Sequence, residues 1–144
     1  MKSGMILHAE DDANDAFLFQ RALSRAGVEN PLTHVPDGET AVRYLTGVGP
    51  YSDREKHPFP CLLITDLKMP VVSGFDLLEQ VKGMLETKQL RAIVLTASVA
   101  DQDKERCRQL GAHDYFVKPS DMKGLIALAG QIKESWILPP TQPA

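Results

Sequence analysis

The chain alternates short apolar runs with segments whose apolar residues recur every three or four positions. The apolar runs that predict strands are residues 5–9, 32–35, 61–66, 92–96 and 115–117. The helical segments are residues 16–26, 38–46, 74–85, 101–110 and 121–135. Buried strands that alternate with amphipathic helices are typical of βαβ units. The pattern therefore predicts an α/β fold, a doubly wound five-stranded parallel sheet with five helices.

Residues that favour caps and breaks mark the limits of these elements. Asn14 or Asp15 is the predicted N-cap of the first helix, and Ser120 that of the last. Residues 47–60 combine glycine, proline and charge without periodicity, which predicts a surface loop. The pattern predicts one domain over residues 4–138. A disordered tail is expected over residues 139–144, after the helix-breaking prolines.

Composition and charge narrow the functional classes. With 144 residues, 43% of them hydrophobic and 24% charged, the chain is typical of one soluble globular domain. Its net charge of −3 argues against general attraction to nucleic acid or to an anionic membrane. Cys61 and Cys107 lack metal-ligand spacing, so we interpret both as reduced thiols. Together these features predict a cytoplasmic protein.

Polar residues stand where the predicted strands end, and the carboxyl ends of the strands are where such sheets bind ligands. These residues are Glu10, Asp11, Asp12, Asp66, Thr96, Ser98 and Lys118. Taken singly, acidic residues after strands are most often helix caps or solvated turn residues. Taken together, they bring several carboxylates, a hydroxyl and an ammonium to one edge of the sheet.

This set of groups suits phosphoryl transfer. Clustered carboxylates repel one another unless a hard cation joins them, and Mg²⁺ prefers carboxylate and water oxygens. The cation also neutralises an incoming phosphoryl group, which lets a carboxylate act as the nucleophile. The Thr96 hydroxyl and the Lys118 ammonium can bind the remaining phosphoryl oxygens. The arrangement indicates phosphoryl transfer onto Asp66.

Several motifs resemble those of the response-regulator receiver domains of two-component systems. They are Glu10-Asp11, Asp66 within Thr65-Asp66-Leu67-Lys68-Met69-Pro70, Gly74, Thr96-Ala97-Ser98, Gly111-Ala112 and Lys118-Pro119. The spacing of Asp66, Thr96 and Lys118 also matches, and the resemblance extends from about residue 4 to 135. It implies a stand-alone, CheY-like regulator with the flavodoxin-like topology of receivers.

The resemblance implies a role for each site residue. Asp66 would accept a phosphoryl group from the phosphohistidine of a sensor histidine kinase in a phosphorelay. Glu10, Asp11, Asp66 and the backbone carbonyl of Lys68 would hold Mg²⁺, and no other cofactor is implied. Thr96 would hydrogen-bond the phosphate and Lys118 would neutralise it.

The resemblance also implies a route by which the signal leaves the site. Thr96 and Tyr115 would form a conformational switch. The output surface would be helix 4, strand 5 and helix 5, at residues 101–110, 114–117 and 121–135. Such a domain is not an enzyme, because its chemistry is limited to its own phosphorylation and dephosphorylation. The Lys118–Pro119 peptide would be cis, as is usual in the family.

Three residues depart from the family pattern. Asp12 is a third acid in the first loop, either a spare ligand or a charge near the helix. His8 is better explained as a strand histidine than as a ligand, since no further metal-ligating side chain accompanies this single imidazole at ligand spacing. Lys68 adds a cation at the rim of the site. It either pairs with Glu10 when metal is absent, slows the access of attacking water, or is simply a solvated lysine, and exposed ion pairs contribute little.

Partners are indicated by the loop and by the end of the chain. Residues 47–60, with Arg54 and Pro58, resemble small receivers that partner phytochrome-type kinases. The few residues after Ser135 predict no output domain, so a separate downstream protein is expected. A second copy of the chain is another candidate partner, because the apolar residues 136–138 pack either on their own core or on another subunit.

Two other functions fit parts of the pattern. A receiver-like docking module that is never phosphorylated is the main alternative, and the intact Asp66, Thr96 and Lys118 argue against it. A small phosphohydrolase with an aspartyl nucleophile would need that nucleophile where Glu10 stands. A flavodoxin-like electron carrier is set aside, because the acids after the first strand would repel its phosphate.

Overall fold

The structure is a computed structural model that describes residues 4–87 and 90–137. Residue 138, the end of the predicted domain, and the predicted tail over residues 139–144 lie outside the described residues. Among the helices that are described, none combines the length and the apolar character needed to cross a membrane.

Five strands alternate with five helices along the chain. The strands are β1 (Ile6–Ala9), β2 (Leu32–Val35), β3 (Leu62–Thr65), β4 (Arg91–Thr96) and β5 (Asp114–Val117). The helices are α1 (Ala13–Arg25), α2 (Gly38–Thr46), α3 (Gly74–Thr87), α4 (Asp101–Gln109) and α5 (Met122–Trp136). All ten predicted elements are present, with limits a few residues from those predicted.

The strands form one parallel sheet in the order β2-β1-β3-β4-β5. The register pairs Ala9 with Thr65, and Thr96 with Val117. From β1 the chain first moves outward to β2 and then crosses back to β3, so the strand order reverses between β1 and β3. This reversal is the position at which doubly wound sheets bind ligands. The predicted doubly wound, flavodoxin-like topology is confirmed.

Helices cover both faces of the sheet because successive strand residues point to opposite sides. Ile6 belongs to the core that packs against α1 and α5, whereas Leu7 belongs to the core beneath α2, α3 and α4. Both side chains are fully buried. Burial on both faces explains why the inner strands β1, β3 and β4 are mainly apolar rather than alternating, whereas the edge strands β2 and β5 are only partly buried.

The two N-cap predictions are wrong by a few residues. Asp12 caps α1, with its Oδ1 accepting from the backbone nitrogens of Asn14 at 2.9 Å and Asp15 at 3.1 Å. Asp121, not Ser120, caps α5. In both places several good capping residues stand side by side, and the cap is the one whose backbone is extended, as in Asp12 with φ −91° and ψ 108°. Asp12 therefore acts as a helix cap.

The loop at residues 47–60 is tied to α2. It contains a short 3-10 helix at Gly49–Tyr51. Arg54 donates from Nη1 to the carbonyl oxygen of Tyr44 at 2.8 Å and from Nη2 to that of Leu45 at 2.9 Å. These carbonyls belong to the last turn of α2, where intrahelical donors run out, and that of Tyr44 also accepts from the nitrogen of the C-cap residue Gly47 at 3.2 Å. The predicted surface loop is thus also the C-terminal cap of α2.

The chain end packs on its own core. The Trp136 indole nitrogen donates to Oδ2 of Asp114 at 2.9 Å, and the Arg91 guanidinium lies 5.7 Å from the centre of the Trp136 ring. Ile137 is buried in the core beneath α1 and α5. Of the two interpretations of residues 136–138, packing on the chain's own core is the one seen for Trp136 and Ile137, while residue 138 lies outside the described part.

Candidate functional site

Three acidic side chains meet where β1 and β3 end. Glu10 and Asp66 each follow directly after paired residues, Ala9 and Thr65, so the register places them side by side. Both are buried, whereas Asp11 is exposed. Carboxylate oxygens of Glu10, Asp11 and Asp66 lie within 4.8 Å of one another. The structure therefore brings together the three side chains that the sequence predicts as metal ligands, and we call them the acidic trio.

Lys118 joins this trio from the end of β5. Its Nζ donates to Oε1 of Glu10 at 2.7 Å, to Oδ2 of Asp66 at 2.8 Å and to Oδ2 of Asp15 at 2.8 Å. Its backbone nitrogen donates to the carbonyl oxygen of Thr96 at 2.7 Å, which holds the end of β5 against β4. An ammonium has three donors, so the three carboxylates satisfy Lys118 completely.

The second oxygen of each buried carboxylate binds the backbone. Oε2 of Glu10 accepts from the nitrogen of Asp12 at 3.1 Å. Oδ1 of Asp66 accepts from the nitrogen of Leu67 at 2.6 Å. Hydrogen bonds to ionised groups are about twice as strong as neutral ones. The two carboxylates are therefore fixed both by the ammonium and by their own loops.

The pKa values of Glu10 and Lys118 are both raised, although burial and ion contacts act against each other at each residue. Burial raises the pKa of Glu10 from 4.5 to about 7, and the contact with Lys118 only partly opposes it. Burial alone would lower the pKa of Lys118, but its hydrogen bonds to Asp15, Asp66 and Glu10 outweigh burial and raise it. Lys118 therefore remains an ammonium, and a proton on Glu10 competes with any cation near neutral pH.

The hydroxyl groups lie on the other side of the site, around the end of β4. Thr96 is buried, and its Oγ1 accepts from the backbone nitrogen of Ser98 at 3.3 Å. Tyr115 is half-buried and donates from its hydroxyl to the carbonyl oxygen of Ser98 at 3.0 Å. The two predicted switch residues are thus connected through a single residue of the loop before α4.

Gly74 allows α3 to begin directly beneath Asp66. Its nitrogen donates to the carbonyl oxygen of Leu67 at 2.9 Å. A Cβ at this position would overlap the carbonyl oxygen of Asp66 and crowd the Cα of Leu67. Backbone cannot yield as a flexible side chain can, so only glycine permits this approach.

The loop that carries Lys68 contains a strained turn. Val71 has φ +66° and is 90% exposed, and the nitrogen of Val72 donates to the carbonyl oxygen of Pro70 at 2.8 Å. This is a γ-turn with positive φ at a β-branched residue, a conformation that costs free energy. Such strain is often kept where a loop borders a functional site.

At this rim the structure decides between the interpretations of Lys68 and corrects the expected cis peptide. Lys68 is exposed and, among the described residues, makes no ion pair, because Lys118 already occupies Glu10. Lys68 is thus a solvated lysine and not a partner of Glu10, while an effect on the access of water stays a prediction. The Lys118–Pro119 peptide is trans, like every peptide bond in the described ranges. The two isomers of an X–Pro bond differ by only about 0.5–1 kcal/mol, so the sequence does not determine the choice.

His8 lies beneath the site and is not part of it. Its ring centre is 5.0 Å from that of Phe19, and within the described part of the chain its Nδ1 has no hydrogen-bond partner. Burial lowers the pKa of His8 from 6.5 to about 3. It is a neutral histidine outside the acidic trio, in agreement with its interpretation as a strand histidine.

Sequence reasoning missed Asp15 as a member of the site. The sequence indicates it only as a possible helix cap, yet its carboxylate contacts Lys118 from the first turn of α1. The available signal was that the first turn of a helix that follows β1 lies at the same edge of the sheet as the strand ends.

The donor set fits a hard divalent cation. The three carboxylates offer the oxygen ligands that Mg²⁺ and Mn²⁺ prefer. Softer metals would favour histidine or cysteine ligands instead. A cation would also relieve the repulsion among the carboxylates.

Comparisons with known proteins agree with this geometry. The family model of the response regulator receiver domain matches residues 6–129. The probable methanogenesis regulatory protein FilR2 of Methanothrix harundinacea is 29% identical over 92% of this chain and 83% of its own length. Response regulator Rcp1 of Synechocystis is 29% identical over 97% of this chain and 93% of its own length.

Solved structures extend the likeness to three dimensions. The phosphorylated cyanobacterial phytochrome response regulator RcpA has a TM-score of 0.83 at 28% identity, over 92% of this chain and 93% of its own. The Mn²⁺-bound form of Rcp1 has a TM-score of 0.82 at 29% identity, over 98% of this chain and 99% of its own.

Proposed function

The chain belongs to the response regulator receiver domain family of two-component signalling, and from this membership we propose that Asp66 accepts a phosphoryl group from a histidine kinase. One observation carries the proposal. The buried carboxylates of Glu10 and Asp66 share the ammonium of Lys118, at 2.7 and 2.8 Å, where the strand order reverses. A nucleophile, a cation site and a positive charge for the phosphoryl oxygens are thereby adjacent.

Glu10, Asp11 and Asp66 are the residues that would hold Mg²⁺, with the backbone carbonyl of Lys68 as a further oxygen ligand. When bound, Mg²⁺ supplies the positive charge that reduces repulsion between the carboxylates and the incoming phosphoryl oxygens. The proximity of the trio, within 4.8 Å, supports this assignment.

In the transfer, a carboxylate oxygen of Asp66 attacks phosphorus, the P–N bond to the kinase histidine breaks, and an acyl phosphate forms. Lys118 then binds a phosphoryl oxygen through the ammonium that contacted Asp66, and the Thr96 hydroxyl donates to another. Attack by water returns the carboxylate and releases inorganic phosphate. The chain is therefore not an enzyme that turns over a separate substrate, and its chemistry is limited to its own phosphorylation and dephosphorylation.

The output surface consists of α4, β5 and α5. The hydroxyl of Thr96 accepts from the nitrogen of Ser98, and the carbonyl of Ser98 accepts from Tyr115. A Thr96 hydroxyl that turns to the phosphoryl group breaks the first bond and moves the acceptor of the second. Phosphorylation thereby shifts the balance between two arrangements of Tyr115 and its surroundings.

The likeness to RcpA, described as a phytochrome response regulator, supports a phytochrome-type histidine kinase in the cytoplasm as the phosphodonor. The output surface would act on a separate downstream protein or on a second copy of the chain. Nucleic acid and membranes are not among the partners we propose, since the net charge is −3.

The proposal is tested by Mg²⁺ titration with and without beryllofluoride, a mimic of the phosphoryl group, on wild type and Asp66→Asn. Trp136 is at the amino ends of β4 and β5, away from the site, so amide NMR shifts of Ser98 and Tyr115 are better reporters than its fluorescence. We expect Mg²⁺-dependent shifts that only wild type shows, and elution volume reports any change of assembly. Absence of any response in wild type would favour the unphosphorylated docking module.

A further inference from the structure

Asp15 contacts Lys118 from outside the acidic trio. Its Oδ2 accepts from Nζ at 2.8 Å, and its side chain is 40% exposed. Its backbone nitrogen donates to Oδ1 of Asp12, the N-cap of α1, at 3.1 Å. The helix cap thus fixes the backbone of Asp15, and the N-terminal position in α1 favours its negative charge.

A bound cation would compete with Lys118 for its other two partners. Glu10 and Asp66 belong to the trio that fits a divalent cation, so a bound cation and the ammonium compete for their oxygens. Asp15 is not in that trio. When a cation enters, Asp15 is the one of the three carboxylates whose contact with Lys118 is not contested.

The space beside Lys118 is also on the Asp15 side. A cavity of about 140 Å³ opens between α1 and α5, and its wall includes Lys118, Asp15 and Glu10 but not Asp66. The ammonium therefore has open space beside it on the side of Asp15, where it already donates to that carboxylate.

We propose that Asp15 is a positioning residue that retains the Lys118 ammonium when a divalent cation takes over Glu10 and Asp66. This inference rests on the proposed function. Asp15 has opposite effects on the two ligands of the site. It favours the cation, because it gives the ammonium another anionic partner. It disfavours a phosphoryl group on Asp66, because it competes with the phosphoryl oxygens for the same ammonium.

The test compares Asp15→Asn with Asp12→Asn. Both changes remove one negative charge from the same loop and helix start, and Asn at residue 12 remains a good N-cap. Mg²⁺ affinity is measured by calorimetry, and beryllofluoride affinity by fluorine NMR at saturating Mg²⁺. We expect Asp15→Asn to weaken Mg²⁺ binding about fivefold and to tighten beryllofluoride binding by a similar factor, in the range of couplings between contacting residues. Asp12→Asn should change both affinities much less, because the Asp12 carboxylate accepts from the backbone nitrogens of Asn14 and Asp15 and not from Lys118.

A double-mutant cycle separates a contact through Lys118 from a general charge effect. In the Lys118→Gln background, Asp15→Asn should no longer change Mg²⁺ affinity more than Asp12→Asn does. Nitrogen NMR of the Lys118 ammonium should show slow proton exchange in Mg²⁺-bound wild type and fast exchange in Asp15→Asn, while thermal unfolding stays cooperative.

The possible failures are distinguishable. Equal effects of Asp15→Asn and Asp12→Asn, or an effect that persists in the Lys118→Gln background, would overturn the role of Asp15 alone. Wild type that binds neither Mg²⁺ nor beryllofluoride would overturn the proposed function, and the role of Asp15 with it.

Discussion

Two groups of polar residues share the carboxyl edge of the sheet, and they are held in different ways. The charged group, Glu10, Asp15, Asp66 and Lys118, has one ammonium bonded to three carboxylates at 2.7–2.8 Å. The second group, which we call the hydroxyl-bearing residues, is Thr96, Ser98 and Tyr115. These residues are linked through two neutral hydrogen bonds at 3.3 and 3.0 Å.

The difference indicates which group starts a change and which one follows it. The charged group cannot rearrange unless another charge replaces a lost contact, because an unpaired buried charge is costly. A neutral hydrogen bond contributes only about 0.5–1.5 kcal/mol net. The proposed phosphorylation of Asp66 would add such a charge, so we expect the first group to respond to it, while the second group can move at low cost.

The largest effect is expected where the backbone supports the charged group. Gly74→Ala should reduce the free energy of unfolding by about 3 kcal/mol, because the new Cβ would overlap the carbonyl oxygen of Asp66. Urea unfolding measures the change. The control is Gly130→Ala in α5, where an added Cβ meets nothing within 4 Å and stability should rise by up to about 1 kcal/mol. Equal effects at the two positions would show that the Asp66 loop is not rigidly supported.

The next effect concerns the ammonium itself. Lys118→Met should cost about 2 kcal/mol of unfolding free energy without metal, less than a fully buried pair would, because Glu10 can take up a proton. Mg²⁺ should recover part of this loss. Lys68→Met is the matched control and should stay within about 0.5 kcal/mol of wild type. A Lys118→Met protein as stable as wild type would mean that the three contacts contribute little.

His8 gives a pH-dependent effect beneath the charged group. Burial lowers its pKa from 6.5 to about 3, so its contribution to stability is present above pH 6.5 and is lost as the pH falls toward 3. The loss is about 1.4 kcal/mol per pH unit in that window. His8→Leu should therefore gain stability relative to wild type as the pH falls from about 6.5 to 5.5, in chemical denaturation at each pH.

Glu10 acts in the opposite direction. Its raised pKa gives stability that is present below 4.5 and is lost as the pH rises to about 7. Wild type and His8→Leu both contain Glu10, so the contribution of Glu10 cancels in the difference between their free energies of unfolding. Parallel stability curves for the two proteins would mean that His8 is protonated in the folded state.

The smallest effect is expected among the hydroxyl-bearing residues. Tyr115→Phe removes one hydrogen bond, to the carbonyl oxygen of Ser98, and should cost about 1 kcal/mol or less. Hydrogen exchange should become faster around Ser98, while Mg²⁺ affinity stays as in wild type. A weakened Mg²⁺ site would mean that the two groups are not separable.

The sequence predicts the fold and the centre of the site for the same reason. Continuous apolar runs that alternate with helical segments admit a parallel sheet, and strand-end residues of a parallel sheet necessarily meet at one edge. The strand pattern alone therefore predicts that Glu10, Asp66 and Lys118 lie together. The predictions for residues 138–144 have no counterpart in the part of the chain that the structure describes.

What the sequence does not determine depends on geometry between elements. Asp15 reaches Lys118 only because α1 packs beside α5. No local sequence pattern encodes how these two helices pack. The choice of Asp12 over its neighbours as N-cap depends on where the chain leaves the sheet. The pairing of Glu10 with Lys118 rather than Lys68 is likewise a matter of distance across the sheet, since both are lysines that follow strands.

The most direct measurement is the intact mass of the protein after incubation with Mg²⁺ and a small phosphodonor such as acetyl phosphate. The account predicts an increase of one phosphoryl group in wild type, located on Asp66 by fragmentation after reduction of the acyl phosphate, and no increase in Asp66→Asn. Wild type that gains no phosphoryl group, or Asp66→Asn that gains one equally, would contradict it.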